Sequence, residues 1–207
     1  MGGSADLSAS TKAAGGDGVF DPSNRKGRNI LFGVREFAMG AIANGIALHS
    51  NFRPFVSTFF VFSDYMKPSI RMAGLMSLPT TFIFTHDSVY VGEDGPTHEP
   101  IEHIATMRSI PNVTFIRPAD EKEVIGAYER ALNSEKSPTV IALTRQNIKS
   151  LKETSKDKVQ SGIYKLHQGS SGWTLVASGS ELSNALEIGI ELNMNVYSIS
   201  NATGNIE

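Results

Sequence analysis

Apolar positions along this chain switch repeatedly between runs of strand length and stripes of helical period. Residues 29–33 (NILFG) predict a short strand, and residues 35–49 a helix in which Ala38, Ile42 and Ile46 recur with Met39 beside them. Residues 54–62 (PFVSTFFVF) read as a strand and residues 63–76 as a helix carrying Met66, Ile70, Met72, Leu75 and Met76. The same alternation gives a strand in 77–84 (SLPTTFIF), a helix in 101–109, a strand in 112–116, a helix in 121–133 with Val124, Ile125, Ala127, Tyr128 and Leu132 on one face, and a strand in 138–143. Strands alternating with helices predict an α/β fold, a mainly parallel sheet with helices on both faces. Residues 1–28 are rich in small and polar residues without a period, and predict an irregular arm before an α/β domain at 29–151. A polar, charged stretch makes 152–171 a linker, and the pattern restarts in 172–207 with a strand (173–177), a helix (181–192) and a strand (195–199), too little for an independent domain.

Composition narrows the class without changing that outline. With 207 residues, 40% of them hydrophobic, the chain can bury a full core. Lys and Arg number 19 against 21 Asp and Glu, a formal charge of -2, which favours neither nucleic acid nor a membrane surface as partner. No cysteine is present, so disulfides, thiolate metal ligands and a cysteine nucleophile are excluded. No apolar run reaches membrane-span length and the start, GGSADLS, lacks the pattern of a signal peptide, so the expected location is cytoplasmic.

Chemistry concentrates in residues 85–100, THDSVYVGEDGPTHEP, which follow a predicted strand. His86 and His98 stand there with Asp87, Glu93, Asp94 and Glu99 and no basic residue, while Gly92, Gly95 and Pro96 can hold a turn. The carboxyl ends of strands are where open α/β sheets bind ligands. Imidazoles and carboxylates there suit a polyhydroxylated or phosphorylated substrate, and equally a hydrated acidic loop. Glu36 opens a predicted helix, where a carboxylate is favoured by the dipole as a simple first-turn acid. Phe59, Phe62 and Tyr65, three apart across a strand-to-helix junction, suit core packing or a wall for a flat ring. Arg145, in TRQN after another strand, is either a surface arginine or a phosphate ligand. Gly16-Asp17-Gly18 with Asn44 mimics a magnesium-diphosphate motif in spacing, but STKAAG precedes it where an apolar strand is needed, so the match is accidental.

The stretches GVREFAMGAIANGIALH, TFFVFSDY, THDSVYVGEDGPTHEP, IRPADEKEV and TRQN together resemble the pyrimidine-binding domain of transketolase. Similarity runs from GGSADL to about Leu151, and more weakly through WTLVASGSELSNALE into that family's carboxyl-terminal domain, of which 172–207 would be a truncated start. The resemblance implies the thiamine-diphosphate-binding fold and ketol transfer between ketose and aldose phosphates, a step of the pentose phosphate pathway. It implies Glu36 as the carboxylate on the aminopyrimidine ring, with Phe59, Phe62 and Tyr65 as the pyrimidine pocket, Phe62 as the stacking partner and Asp6 near the cofactor. Ser10, His86 and Arg145 would hold the sugar phosphate; Asp94 and His98 would meet the donor's hydroxyls, His98 also assisting proton movement. It further implies thiamine diphosphate and Mg2+, with the metal bound by a diphosphate-binding domain outside this chain and no metal ligand within it. The expected state is a homo-oligomer, active only with that domain. Tyr90 departs from the family, where a small residue is usual. Deoxyxylulose phosphate synthase and the beta chain of 2-oxo acid dehydrogenases share the domain plan, and a non-catalytic fragment or partner-binding module is the alternative from another class.

Overall fold

The computed structural model describes residues 1–202. Its main sheet opens with β1 (Gly2–Ser4), followed by the short α1 (Ser8–Thr11) and the long α2 (Glu36–His49). β2 (Phe55–Phe59) passes through a 3-10 turn, Phe60–Phe62, into α3 (Ser63–Leu75); then come β3 (Thr81–Thr85), α4 (His103–Arg108), β4 (Thr114–Ile116), α5 (Glu121–Asn133) and β5 (Thr139–Ala142). The five strands lie in the order β1-β2-β3-β5-β4, every neighbouring pair parallel. From β1 to β4 the chain steps in one direction across the sheet, and from β4 to β5 it steps back. Right-handed crossovers therefore put α2, α3 and α4 on one face and α5 on the other. The packing follows that division. Val56, Phe82, Phe84, Phe115 and Val140 pack with Met39, Met66, Ile70 and Met107, whereas Ile116 and Ile141 pack with Ala127, Ala131 and Val159.

Several expectations need correction. Residues 1–28 are not wholly irregular, because Gly2–Ser4 is the edge strand. A Cβ on Gly2 would lie 1.8 Å from the Phe55 carbonyl oxygen, and one on Gly3 2.1 Å from that of Ile30, so the strand fits only without side chains. Residues 29–33 form no strand; Asn29 makes isolated bridges to Gly2 and Val19. The buried face of α2 carries Glu36, Met39, Gly40, Ala43 and Asn44 in place of the Ala38-Ile42-Ile46 stripe, and Ile42 is exposed. On α5 the buried residues are Glu123, Gly126, Ala127 and Ala131, while Ile125 and Leu132 are exposed.

The stretch 152–171 is not a free linker. It contains a 3-10 turn, Asp157–Ser161, whose Val159 is fully buried against α5, and β6 (Tyr164–His167). β6 pairs antiparallel with β8 (Asn195–Ser198), which pairs parallel with β7 (Thr174–Ala177), and α6 (Glu181–Glu191) lies between β7 and β8 in the chain. Residues 203–207 of the expected carboxyl-terminal stretch lie outside the described residues. Two carboxylates join this module to the main sheet. Asp120 caps α5 through the Glu123 N–H and accepts from Leu151 N–H (2.9 Å) and the Thr154 hydroxyl (2.6 Å). Glu123, fully buried, accepts from Ala119 N–H (2.8 Å), the Tyr164 hydroxyl (2.6 Å) and the Ser198 hydroxyl (2.5 Å). Among the described residues no helix is long and apolar enough to cross a membrane.

Candidate active site

Parallel strands bring the residues that follow them to one edge. Asp6 follows β1, Phe62 and Tyr65 follow β2, His86 follows β3, and Arg145 follows β5. α2 ends at His49, ahead of the start of β2, so it runs from the carboxyl edge to the amino edge and its first residue, Glu36, stands at the same rim. The pairing of Phe59 with Thr85 sets the central contact. It carries the ring of His86 onto the ring of Phe59, 3.7 Å between centroids and 25° between planes.

Around that stack the aromatic residues form a continuous wall. Phe62 lies 6.1 Å from both Phe59 and Tyr65 in stacked orientations, and His98 meets Phe62 edge-on at 5.3 Å. Each histidine is oriented by the threonine before it: His86 Nδ1 lies 2.9 Å from Thr85 Oγ1 and His98 Nδ1 2.8 Å from Thr97 Oγ1. Where the threonine donates, Nε2 bears the proton and can act as a donor. Burial pushes the His86 imidazole below its ordinary pKa; Asp94 opposes that shift, and Arg145 and His98 add positive charge that favours the neutral ring. Asp87, like Asp94, favours the charged ring, and Phe59 links the two imidazoles, its centroid 3.7 Å from that of His86 and 6.4 Å from that of His98. Glu36 is 9% exposed, and among the described residues its carboxylate has no hydrogen-bond or ion-pair partner. A buried acid without a protein partner is open to a ligand's donor or ring nitrogen.

Other sequence-stated candidates fall differently. Asp6 has a left-handed backbone, φ 62°, and lines a concavity of about 510 Å³ with Ser8, Gly33 and Arg35. Ser10 is exposed on α1, and among the described residues no hydrogen bond or ion pair links Asp6 or Ser10 to the histidines. Tyr90 is exposed in a 3-10 turn, Val89–Val91, whose entry is capped by the Ser88 hydroxyl. Asp17 pairs at the surface with Arg28, while Asn44 is buried and bonded to Ser69 and Thr80, so the spacing match at Gly16-Asp17-Gly18 brings no metal ligands together. Asp64, Glu102 and His103 do cluster among the described residues. Their carboxylates flank opposite ring nitrogens, Asp64 3.3 Å from Nε2 and Glu102 3.9 Å from Nδ1.

Two contributions were not legible beforehand, the Thr85 contact and the Asp87–Arg117 pairing, although Asp87 itself stands among the acidic residues after β3. Thr85, the last residue of a fully buried strand, orients His86; Asp87 and Arg117 form an ion pair at 2.6 Å behind the loop. Only the adjacency of Asp87 to His86 hinted at the latter.

Comparison with known proteins adds a family. The pattern described as "Transketolase, pyrimidine binding domain" matches residues 1–150. A probable transketolase of Streptococcus pneumoniae is 50% identical over 195 residues, covering 93% of this chain and 30% of that protein. The transketolase of Bacillus subtilis is 49% identical over 199 residues, again with 93% and 30% covered. The chain thus spans about 30% of the length of the curated relatives it matches. Among solved structures, a transketolase from Leishmania mexicana superposes with a TM-score of 0.95 at 40% identity, covering 98% of this chain and 31% of that one. A Pichia stipitis transketolase in complex with sedoheptulose 7-phosphate gives 0.92 at 40% identity, with 98% and 32% covered. A split gene transketolase, described as an inactive beta4 tetramer, gives 0.76 at 26% identity, with 97% and 65% covered.

Proposed function

Because the chain belongs to the transketolase family through its pyrimidine-binding domain, we propose that it forms the pyrimidine half of a thiamine diphosphate site that moves a two-carbon ketol unit between sugar phosphates. The observation that supports this most is the partnerless, buried Glu36 at the same rim as the Phe59-Phe62-Tyr65 wall and the two histidines. Those residues fit a flat heteroaromatic ring with a basic nitrogen. When bound, thiamine diphosphate supplies the nucleophilic carbon and electron sink that ketol transfer needs.

This chain's residues have separate tasks. Glu36 holds the pyrimidine by hydrogen-bonding its ring nitrogen, a role open to a carboxyl without a protein partner. Phe62 and Tyr65 wall the ring, while Phe59 is already covered by His86. His86 and Arg145 bind the sugar phosphate, the first through Nε2–H and the second through its guanidinium fork. Asp94 and His98 orient the donor's hydroxyls, and His98 takes or returns a proton at a hydroxyl oxygen. Asp6 and Ser10 extend the cofactor and phosphate ends of the site. The diphosphate and its Mg2+ are held by a diphosphate-binding domain outside the matched pyrimidine-binding residues, and the working unit is an oligomer in the cytoplasm. Tyr65 is 64% exposed, and Leu31, Val34 and Phe37 beside Glu36 are exposed as well, as a rim built to be covered requires.

Ketol transfer from xylulose 5-phosphate to ribose 5-phosphate, with thiamine diphosphate and Mg2+, tests the reading in this chain alone and mixed with a diphosphate-domain chain. Activity in the mixture, abolished by Glu36→Gln, is expected; silence in a mixture whose chains demonstrably bind each other would overturn it. Pyruvate as donor separates the reaction from that of deoxyxylulose phosphate synthase. The inactive beta4 tetramer of the split gene relative favours a second reading, a chain that assembles without turnover, and the same silence would support it.

A further inference from the structure

We propose that Asp87 and Arg117 are positioning residues for His86, and that the carboxyl-terminal module reaches the candidate site through them. The inference rests on the reading of His86 as a substrate ligand. His86 has a left-handed backbone, φ 61°, which a non-glycine residue adopts only when its surroundings enforce it. On its amino side Thr85 is fixed in the sheet opposite Phe59. On its carboxyl side Asp87 is 2% exposed and bound to Arg117 Nε at 2.6 Å.

Arg117 is held in turn from the second module. Its Nη1 donates to the Ser178 carbonyl at 2.9 Å and to Glu181 at 2.5 Å, its backbone N–H donates to the Ser200 carbonyl, and its carbonyl accepts from Gly179. A Cβ on Gly179 would lie 2.5 Å from the guanidinium carbon, so the turn before α6 closes directly over the charge. The path from α6 to the Phe59–His86 stack therefore runs through one guanidinium and one carboxylate. Among the described residues no hydrogen bond or ring contact joins Asp87 or Arg117 to the His86 ring, so what they hold is the backbone that carries it.

Proton NMR of the full chain reads the ring's position directly, because stacking on Phe59 shifts the His86 ring protons upfield. His86→Asn assigns the signal. We expect Asp87→Asn, which preserves shape, to abolish the shift while the remaining histidine signals stay in place. Asp87→Leu with Arg117→Met removes both charges together, a change that buried pairs often tolerate without unfolding, and it too should abolish the shift. Retention of the shift in either folded variant overturns the proposal. A kinetic arm separates this inference from the function on which it rests. In the mixed enzyme, Asp87→Asn should raise the KM for ribose 5-phosphate several-fold more than it lowers kcat, and should add nothing in a His86→Ala background. Additive effects would overturn the positioning role, whereas a His86→Ala variant with unaltered KM would overturn the role of His86 itself.

Discussion

Two glycines in α2 allow the packing argument to be tested as a contrast. Substituting alanine for glycine inside a helix gains about 1 kcal/mol of propensity. At Gly45 nothing lies within 4 Å of the added methyl, so Gly45→Ala should collect that gain, about 1 kcal/mol. At Gly40 the methyl would sit 2.8 Å from Ser69 Cβ and 2.9 Å from Met66 Cγ. Met66 can rotate away; Ser69 Cβ is fixed to the backbone of α3. The two helices cannot slide apart cheaply, because Ser69 Oγ donates to the Phe37 carbonyl (2.9 Å) and Asn44 Nδ2 donates to the Ser69 carbonyl (2.8 Å), on either side of the clash. Overpacking of this kind costs about 1–3 kcal/mol, which offsets or exceeds the propensity gain. Gly40→Ala should therefore be less stable than Gly45→Ala by about 1–3 kcal/mol, a Tm gap of roughly 2–12 °C for a chain of this size. Urea unfolding and differential scanning calorimetry measure both. Equal stabilisation by the two substitutions would refute close helix contact at Gly40, and with it the packing that sets the height of Glu36 above the rim.

Glu123→Ala should destabilise the chain by about 3–5 kcal/mol, since it strands the Ala119 N–H and the Tyr164 and Ser198 hydroxyls in the interior; a loss under 1 kcal/mol in chemical denaturation would contradict that. For His86, whose folded pKa lies below its unfolded value of 6.5 chiefly through burial, the unfolded chain binds more protons as the pH drops. Its contribution is complete above pH about 6.5 and is lost as pH falls through the folded value, so wild type should lose stability on acidification more steeply than His86→Asn. Parallel pH profiles would count against it. In the mixed enzyme, Arg145→Ala should raise the KM for ribose 5-phosphate by about tenfold, the loss of one charge-assisted contact, and leave a non-phosphorylated aldose unaffected; an equal effect on both acceptors would remove Arg145 from the phosphate subsite.

Legibility in the sequence followed how strongly each element declared itself through side chains. α5 was placed at residues 121–133 because Pro118-Ala119-Asp120 marks a turn before apolar residues at helical spacing, and the structure adds the Asp120 cap. Its buried face was misjudged because the positions that enter the core are Gly126, Ala127 and the charged Glu123, which a search for large apolar residues passes over. The same held for α2, where Gly40 and Asn44 face α3. β1 carries almost no side chain, and β6, reading YKLH, sits in polar surroundings, so neither has a pattern to find. The site residues came from motifs spread along the chain, TFFVFSDY and residues 85–100 among them, and the structure gathers His86, His98, Phe59 and Phe62 in ring contact. The ion pair behind them was illegible, because Arg117 and Asp87 are distant in sequence and become neighbours only through the position of β4 in the sheet.

That position has a consequence for how the chain is made. β3 and β4 do not touch; β5 is the neighbour of both. Until residues 139–142 have left the ribosome, β3 has an open edge, with Phe82 and Phe84 on one side and Ile83 on the other, and β4 has no strand to pair with. Long-range parallel pairing of this kind is slow, and unpaired edges invite association between nascent chains. Completion of the sheet is thus one late event, the insertion of β5 between two waiting strands, and a shortened chain ending before Pro138 should be captured by chaperones or aggregate while the full chain folds.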